Sequence, residues 1–322
     1  MNTPFFNPVQ EGIREVENLM RSQAGNDHHP DLRAALEHLL LAGGKRIRPN
    51  IVFLVGNLFN AQHERLVTLA AAIEMLHTAT LVHDDLIDGS LLRRGIPTLN
   101  ARWSPAATVL TGDFLFGRAA KLAAETDSLP LMKLFAETLT IIVNGELTQM
   151  FAAKGIIDRK NYYNRIYAKT GSLFELSVLA AALLGTDDQA SLLSMKTYGC
   201  EIGLAFQIMD DVLDFTGEQA TIGKPVGSDL LNGLVTLPAI YYAESYPDDQ
   251  GVRLLADGGW GNPDKMEILI KSIQSSKAIR YAIDEANEHV EKALAAIKRF
   301  ESPAIEYQAL VDLAHFIVDR NS

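Results

Sequence analysis

Cysteine and aromatic side chains are scarce in this 322-residue chain: one Cys, two Trp, and 7% aromatics in all. With Cys200 alone no internal disulfide can form, which predicts a reducing compartment. Its setting, MKTYGCEIGLAF, is that of a small core residue. Positive charge is short as well, with 29 Lys and Arg against 40 Asp and Glu, a net charge of −11. Binding a nucleic-acid backbone needs a basic face, so that class of partner is excluded. The start, MNTPFFNPVQEG, has neither the basic opening nor the apolar core of a secretory signal. No apolar run approaches the roughly 20 residues that cross a bilayer. A soluble, cytoplasmic protein with no transmembrane segment is expected. Strand signals are nearly missing too, while Ala and Leu abound, which favours packed helices.

What the chain does have is one acidic pattern used twice. Asp84, Asp85 and Asp88 recur 126 positions later as Asp210, Asp211 and Asp214. Each Asp-Asp-x-x-Asp ends an apolar helical stretch, just before a helix-ending glycine (Gly89, Gly217). The negative end of the helix dipole disfavours an anion there by about 0.3–1 kcal/mol apiece. Crowded carboxylates that also oppose the dipole point to a cation that relieves them. Without His or Cys among the donors, a hard ion suits, magnesium first, with substrate phosphates as further ligands. The bland reading is a solvated acidic helix end. Two other pairs, Asp187-Asp188 and Asp248-Asp249, fit it: they sit in turn-like contexts, without the third aspartate.

Helical periodicity runs through segments near 7–23, 31–42, 50–59, 64–87, 105–126, 129–153, 159–184, 187–216, 236–246, 263–274, 277–300 and 303–319, with Gly and Pro between them. One all-α domain over residues 1–322 is predicted. Two long gaps, 88–104 and 217–235, each follow an acidic motif, and loops of that length in a compact domain are functional or disordered. Asp84 and Asp88 lie one turn apart on a helix face, as do Asp210 and Asp214. Antiparallel, two such faces would point six carboxylates into a single cavity.

Cations cluster where an anion would need them: Lys45, Arg46 and Arg48 in GGKRIRP, Arg93 and Arg94 after the first motif, Lys169-Thr170, and Lys224. Any one alone reads as surface charge; their spread among apolar helices suggests two phosphate sites, one through metal and one through direct contact. His77 lies two turns before Asp84 on the same side. His83 reads as a core histidine. Gln207, one turn before Asp211, suits a bridging phosphate or a satisfied core amide equally. On the helix before the first motif, Ala72, Leu76, Ala79 and Thr80 share roughly the face of Asp84. The small pair at 79–80 would leave a groove about 7 Å below the carboxylates. Charge at a mouth with small residues beneath fits a diphosphate head and a hydrocarbon tail.

LVHDDLIDGSLLRRG, FQIMDDVLDF, GGKRIRP, KTGSLFE and GKPVGSDL together resemble the trans (E)-polyprenyl diphosphate synthases, in that family's order and over about residues 10–320. The resemblance implies an isoprenoid synthase type I fold, a single large all-α bundle around a deep central cavity, usually a homodimer. It implies magnesium-dependent head-to-tail condensation of an allylic diphosphate with isopentenyl diphosphate. Carried over by position, Asp84, Asp85, Asp88, Asp210, Asp211 and Asp214 would hold the magnesium cluster. Arg93, Lys169, Thr170, Gln207 and Lys224 would contact the allylic diphosphate, and Lys45, Arg48, His77 and Arg94 the isopentenyl diphosphate. The family's late-loop aspartate falls on Asp229.

Many members carry Gly-Lys-x-Thr-Leu-Pro after the second motif; here Leu234 stands in place of the lysine. Short-chain members close the cavity floor with bulky aromatics four or five residues before the first motif. Thr80 and Ala79 occupy those positions, with Leu76 beneath, so a product longer than farnesyl diphosphate is expected. The alternative is a non-catalytic regulatory subunit of a heteromeric synthase. Such subunits usually lose aspartates, and both triads are intact.

Overall fold

The computed structural model describes residues 4–23, 29–41, 43–152, 155, 157–217 and 225–319. Helices carry nearly all of it. In chain order they are α1 (Gln10–Ser22), α2 (Pro30–Leu41), α3 (Ile47–Leu58), α4 (His63–Ile87), α5 (Leu99–Arg102), α6 (Pro105–Ala124), α7 (Leu129–Phe151) and α8 (Arg159–Ile166). A π-helical turn (Tyr167–Gly171) joins α8 to α9 (Ser172–Leu183), followed by α10 (Gln189–Thr216), α11 (Ser228–Leu231), α12 (Leu237–Ser245) and α13 (Gln250–Ala256). The chain ends on α14 (Pro263–Ser275), α15 (Ala278–Ile297) and α16 (Ile305–Asp319). The chain forms two compact units. One comprises Met1–Thr138, Glu175–Lys196 and Arg299–Asp312; the other comprises Leu139–Phe174, Thr197–Lys298 and Leu313–Ser322.

In the first unit α4 is the central element, packed by α1, α3 and α6. Leu69, Ala70, Ala71, Ala72 and Ile73 follow one another along it with no exposed surface. A helix enclosed on every side must be apolar all round, which is what these residues supply. Buried Glu74 interrupts this apolar run, and polar residues gather again over the last three turns, so the acidic motif sits where the buried part of α4 ends. α6 approaches this end closely: a Cβ at Gly112 would lie 2.1 Å from His83 Nε2. His83 also meets the Val109 carbonyl at 3.2 Å, the ordinary packing role expected of it.

In the second unit α10 runs beside the π-helical turn. A Cβ at Gly203 would lie 2.7 Å from the Gly171 Cα, so two glycines let these backbones nearly touch. Around them Tyr162, Tyr198, Phe174 and Phe215 are buried. α12 packs on α15, and α14 meets α11, α13 and α15.

The helical segments expected from periodicity are present with ends shifted by a few residues. Three features differ. Residues 88–104 hold a hairpin, β1 (Leu92–Arg93) and β2 (Ile96–Pro97), antiparallel with Arg93 opposite Ile96. Its two central residues, Arg94 (φ 52°) and Gly95 (φ 76°), are left-handed, the backbone of a type I′ turn. A short helix, α13, fills what read as a turn. The two acidic pairs taken as solvated turns do lie at turns, with Asp187, Asp188 and Asp248 exposed, but one aspartate of each also caps a helix. Asp249 accepts from Gly251 N (2.8 Å) and Val252 N (3.2 Å) before α13, and Asp188 accepts from Ser191 N (2.9 Å) before α10. Two helical stretches, His63–Ile87 and Arg159–Leu183, do reach the length and apolarity of a bilayer-crossing helix. Their most apolar windows are 67% and 78% buried, so internal packing accounts for that apolarity.

Candidate active site

In the first unit, α4 ends at the first triad, and Gly89 (φ 64°) closes it in the left-handed conformation that a helix C-terminus favours. Asp85 is buried, Asp84 half-buried and Asp88 exposed. The hairpin turns Arg93 back onto Asp85. Its Nε lies 3.0 and 2.9 Å from the two carboxylate oxygens and its Nη2 2.8 Å from Oδ1, a fork-to-carboxylate pair. A cavity of about 30 Å³ beside this pair is lined by Val82, Asp85, Arg93 and Ile96 among others, room for a water and little more.

The arginines expected to gather do so around His77. Burial, and then the charges of Arg48, Arg94, Arg93 and Arg46, hold this imidazole well below its ordinary pKa and keep it neutral. Neutral, it has one N–H to donate and one nitrogen to accept, rather than adding a further positive charge. The double glycine is part of the same construction. Arg94 donates to the Gly43 carbonyl, and a Cβ on Gly44 would lie 2.8 Å from Arg94 Nη1. A side chain at Gly44 would push the guanidinium off this crossing. Arg46, left-handed at φ 48°, reaches Glu74 Oε1 at 2.6 Å and Glu17 Oε1 at 3.3 Å. Its charge is thus committed to internal carboxylates, one of them buried, while Lys45 beside it is exposed.

The second triad, near the C-terminus of α10, has different company. Asp211 is 4% exposed and accepts from the Tyr162 hydroxyl (2.8 Å) and Gln207 Nε2 (2.9 Å). Gln207 in turn accepts from the Thr170 hydroxyl at 2.6 Å. The Gly171–Gly203 approach makes this relay possible, since it brings the π-helical turn against α10. Both donors to Asp211 among the described residues are neutral. Burial, and next the charge of Asp229, push its carboxyl up to about 7. Asp214 caps the turn at α11, accepting from Ser228 N (3.2 Å), Ser228 Oγ (2.8 Å) and Asp229 N (3.2 Å).

Of the residues singled out by sequence, Asp84, Asp85, Asp88, Arg48, His77, Arg93 and Arg94 therefore share one region of the first unit, with Lys45 on the adjoining loop. Asp210, Asp211, Asp214, Gln207, Thr170 and Asp229 share one region of the second. Lys169 is exposed on the π-helical turn, and Lys224 lies outside the described residues. Leu76 and Ala79 are fully buried, while half-buried Thr80 donates its hydroxyl back to the His77 carbonyl at 2.8 Å. Sequence reasoning missed Tyr162. It lies 49 residues from Asp211, on a helix whose spacing carries no hint of the second motif. Arg165 was missed too; it donates to the Val235 carbonyl at 2.7 Å and helps line a second-unit cavity of about 320 Å³ with Asn144, Thr148, Gln149 and Asn161.

Among the described residues, no three His, Cys, Asp or Glu side chains already converge as a metal site. The donor chemistry still fits a hard divalent ion. Asp211, buried with the charge of Asp229 against it and only neutral hydrogen-bond donors, is a carboxyl whose ionisation a cation would favour.

Comparison with known proteins agrees with this chemistry. A family profile described as Polyprenyl synthetase matches residues 29–272. An octaprenyl diphosphate synthase of Haemophilus influenzae is 36% identical over 288 residues, covering 88% of this chain and 87% of that one. An all-trans-nonaprenyl-diphosphate synthase (geranyl-diphosphate specific) of Rhodobacter capsulatus is 38% identical over 291 residues, again 88% of this chain and 87% of the other. Among solved structures, a polyprenyl synthase from Caulobacter crescentus, complexed with calcium and isoprenyl diphosphate, superposes with a TM-score of 0.90. It is 34% identical, over 99% of this chain and 97% of its own.

Proposed function

The chain belongs to the polyprenyl synthetase family, and from that premise we propose that it elongates an allylic diphosphate with isopentenyl diphosphate, head to tail, to an (E)-polyprenyl diphosphate longer than farnesyl diphosphate. It is a prenyltransferase, and relatives named for octaprenyl and nonaprenyl products support the longer range. The observation that carries the reading is the second triad, where buried Asp211 faces the charge of Asp229 and its donors among the described residues are neutral.

A divalent ion, which we take to be magnesium, would be held by Asp84, Asp85 and Asp88 and by Asp210, Asp211 and Asp214, and it supplies positive charge to the departing diphosphate. Both triads serve the allylic diphosphate in this reading. Arg93, Lys169 and Lys224 add charge to that diphosphate, and Thr170 and Gln207 orient its oxygens. Lys45, Arg48 and Arg94 hold isopentenyl diphosphate, with neutral His77 as a hydrogen-bond partner. The allylic carbon–oxygen bond breaks, the electron pair leaving with the diphosphate. The isopentenyl double bond attacks the resulting cation, and a proton is lost to the released diphosphate. Side chains around the reacting carbons exclude water, which would otherwise quench the cation. No protein nucleophile is needed. The tail runs past Leu76, Ala79 and Thr80, small enough at the last two positions to leave product length open.

The whole of 1–322 works as one catalytic domain in the cytoplasm, and the protein pairs with a second copy of itself. Along the second-unit part of α7, Val143, Leu147, Met150 and Phe151 recur at helical spacing and are all exposed, Phe151 at 81%. The alternative, a non-catalytic regulatory subunit, is not favoured with both triads complete. Incubating the purified chain with magnesium, isopentenyl diphosphate and each of several allylic primers should give products longer than farnesyl diphosphate, and a chelator should stop the reaction. Turnover that appears only after a second, different subunit is added would overturn the reading.

A further inference from the structure

The third aspartate of the second motif makes bonds unlike those of its neighbours. Among the described residues, all three donors to the Asp214 carboxylate come from one turn: Ser228 N at 3.2 Å and Ser228 Oγ at 2.8 Å to Oδ1, and Asp229 N at 3.2 Å to Oδ2. Its main-chain carbonyl accepts from Gly227 N at 2.7 Å. Gly227 is left-handed (φ 69°), and a Cβ there would lie 2.5 Å from Ile270 Cδ1, so the turn enters through a point that admits only glycine. Beyond it, Leu234 N returns to the Asp229 carbonyl at 2.9 Å, and Asn232 Nδ2 bonds the Ser228 carbonyl at 2.9 Å. Leu230 is buried beneath. The segment 227–234 is therefore a closed knot whose tie to α10 is Asp214.

We propose that Asp214 is a positioning residue rather than a metal ligand: by capping the Ser228 turn it fixes Asp229 beside the second acidic pair, Asp210 and Asp211. This rests on the reading of the chain as a metal-dependent prenyltransferase and refines its ligand set, taking Asp214 out of the residues that would hold the ion. An aspartate oxygen that accepts two protein donors has little remaining capacity for an ion, and the other oxygen is turned to Asp229 N. Asp229 stands where its charge opposes that of Asp211, so the turn delivers a further carboxylate to that end of α10. The acidic set there becomes Asp210, Asp211 and Asp229, with Asp214 behind it.

The test is a double-mutant cycle between Asp214→Ala and Ser228→Ala, with Asp214→Asn and Asp210→Asn alongside. Ser228→Ala removes one of the three bonds and leaves every aspartate in place. It should lower kcat/KM by roughly tenfold, the effect of one hydrogen bond to a charged group. Asp214→Ala should lower it by about a hundredfold, and the double variant no further, because both changes undo the same cap. Asp214→Asn keeps the Oδ1 bonds and should recover much of the loss, whereas Asp210→Asn should abolish turnover. Hydrogen exchange of residues 227–236 in the metal-free protein supplies a readout independent of substrate. Protection should fall in Ser228→Ala and Asp214→Ala, hold in Asp214→Asn, and stay untouched in Asp210→Asn. Multiplying effects in the cycle, or Asp214→Asn as inactive as Asp210→Asn with its protection intact, would overturn the assignment. If the wild-type chain does not turn over isoprenyl diphosphates at all, the functional reading fails by itself. The exchange pattern then still decides whether Asp214 holds the turn.

Discussion

At the end of α4 the middle aspartate of the motif is gripped by a guanidinium, whereas at the end of α10 the equivalent residue is held by a phenol and an amide. Asp85 has Arg93 at 2.8–3.0 Å; Asp211 has Tyr162 at 2.8 Å and Gln207 at 2.9 Å. Both are buried. The same five-residue pattern thus meets the same desolvation cost in two ways. The first is offset within the protein by an ion pair. The second is offset by neutral hydrogen bonds and, more weakly, by the unbonded charge of Arg165, while Asp229 adds to the repulsion. It follows that the second triad has more to gain from a bound cation in the absence of substrate, and the first has a built-in substitute for one.

The contrast can be broken most forcefully at Asp211. Asp211→Asn should cost on the order of 10³-fold in kcat by removing a ligand charge from the departing diphosphate's site. In the metal-free protein it should do the opposite to stability. Because the folded-state pKa is raised from 3.8 to about 7, the folded chain keeps a proton between those values that the unfolded chain has lost. Stability therefore falls as pH rises through that window, and above it the buried anion is fully felt. Asn carries no charge at any pH. The variant should match wild type near pH 4 and exceed it at pH 8, by at most about 4 kcal/mol on linkage grounds. Thermal unfolding in chelator across that range checks this, and a variant less stable at pH 8 would show that the site already holds a compensating charge.

Arg93→Ala probes the other side. Asp85 would be left buried without its fork, costing about 1–3 kcal/mol of stability in chelator, moderated because Arg93 is itself a third exposed. A divalent ion should restore part of this loss, replacing the missing guanidinium, and kcat/KM should fall by about a hundredfold. If the ion stabilises Arg93→Ala no more than it stabilises wild type, Asp85 is not within its reach.

How much of this was legible in the sequence follows from how local each feature is. The triads, the helix they terminate and Gly89 as its stop are set within a few residues, and periodicity fixes the rest of α4 and α10. The cationic cluster was legible as composition, because lysines and arginines in so acidic a chain need a reason. The Arg94–Gly95 turn was not, since arginine has no intrinsic preference for positive φ; its conformation is held by the hairpin register and the Gly43 carbonyl. Tyr162 was not, because only the glycine-on-glycine approach of the π-helical turn to α10 puts its helix against the second motif. The turns at Asp188 and Asp249 were legible, and their capping role was overlooked: an aspartate two or three residues before an apolar run is a cap by rule.

A smaller effect is expected at the buried face of α4. Ala79 has no exposed surface and lies a little over one turn below Asp84, on the helix face expected to meet the growing tail. Ala79→Phe should shorten the product by one or more isoprene units with kcat changed only a few-fold, since no charge near either triad is altered. Chromatography of the dephosphorylated products reads the length directly. An unchanged distribution would place the growing tail against some other face.

The finest test of the contrast lies at Leu234, where many family members carry lysine. The residue is half-buried and belongs to the knot that Asp214 ties, its N–H bonded to the Asp229 carbonyl at 2.9 Å. A lysine here would add a positive charge to the knot beside the end of α10, where Arg165 acts on Asp211 without bonding to it, and would do for the second triad part of what Arg93 does for the first. Leu234→Lys should then lower the Michaelis constant for the allylic substrate by roughly threefold to tenfold, the scale of one partly screened charge. It should also lower the metal concentration needed for half-maximal rate, because less of the carboxylate repulsion is left for the ion to relieve. The isopentenyl diphosphate constant should stay where it is, since Arg48, His77 and Arg94 belong to the first unit. Kinetics indistinguishable from wild type for both substrates would show that this position has no part in binding the allylic diphosphate, and that the second triad gains nothing from a further cation there.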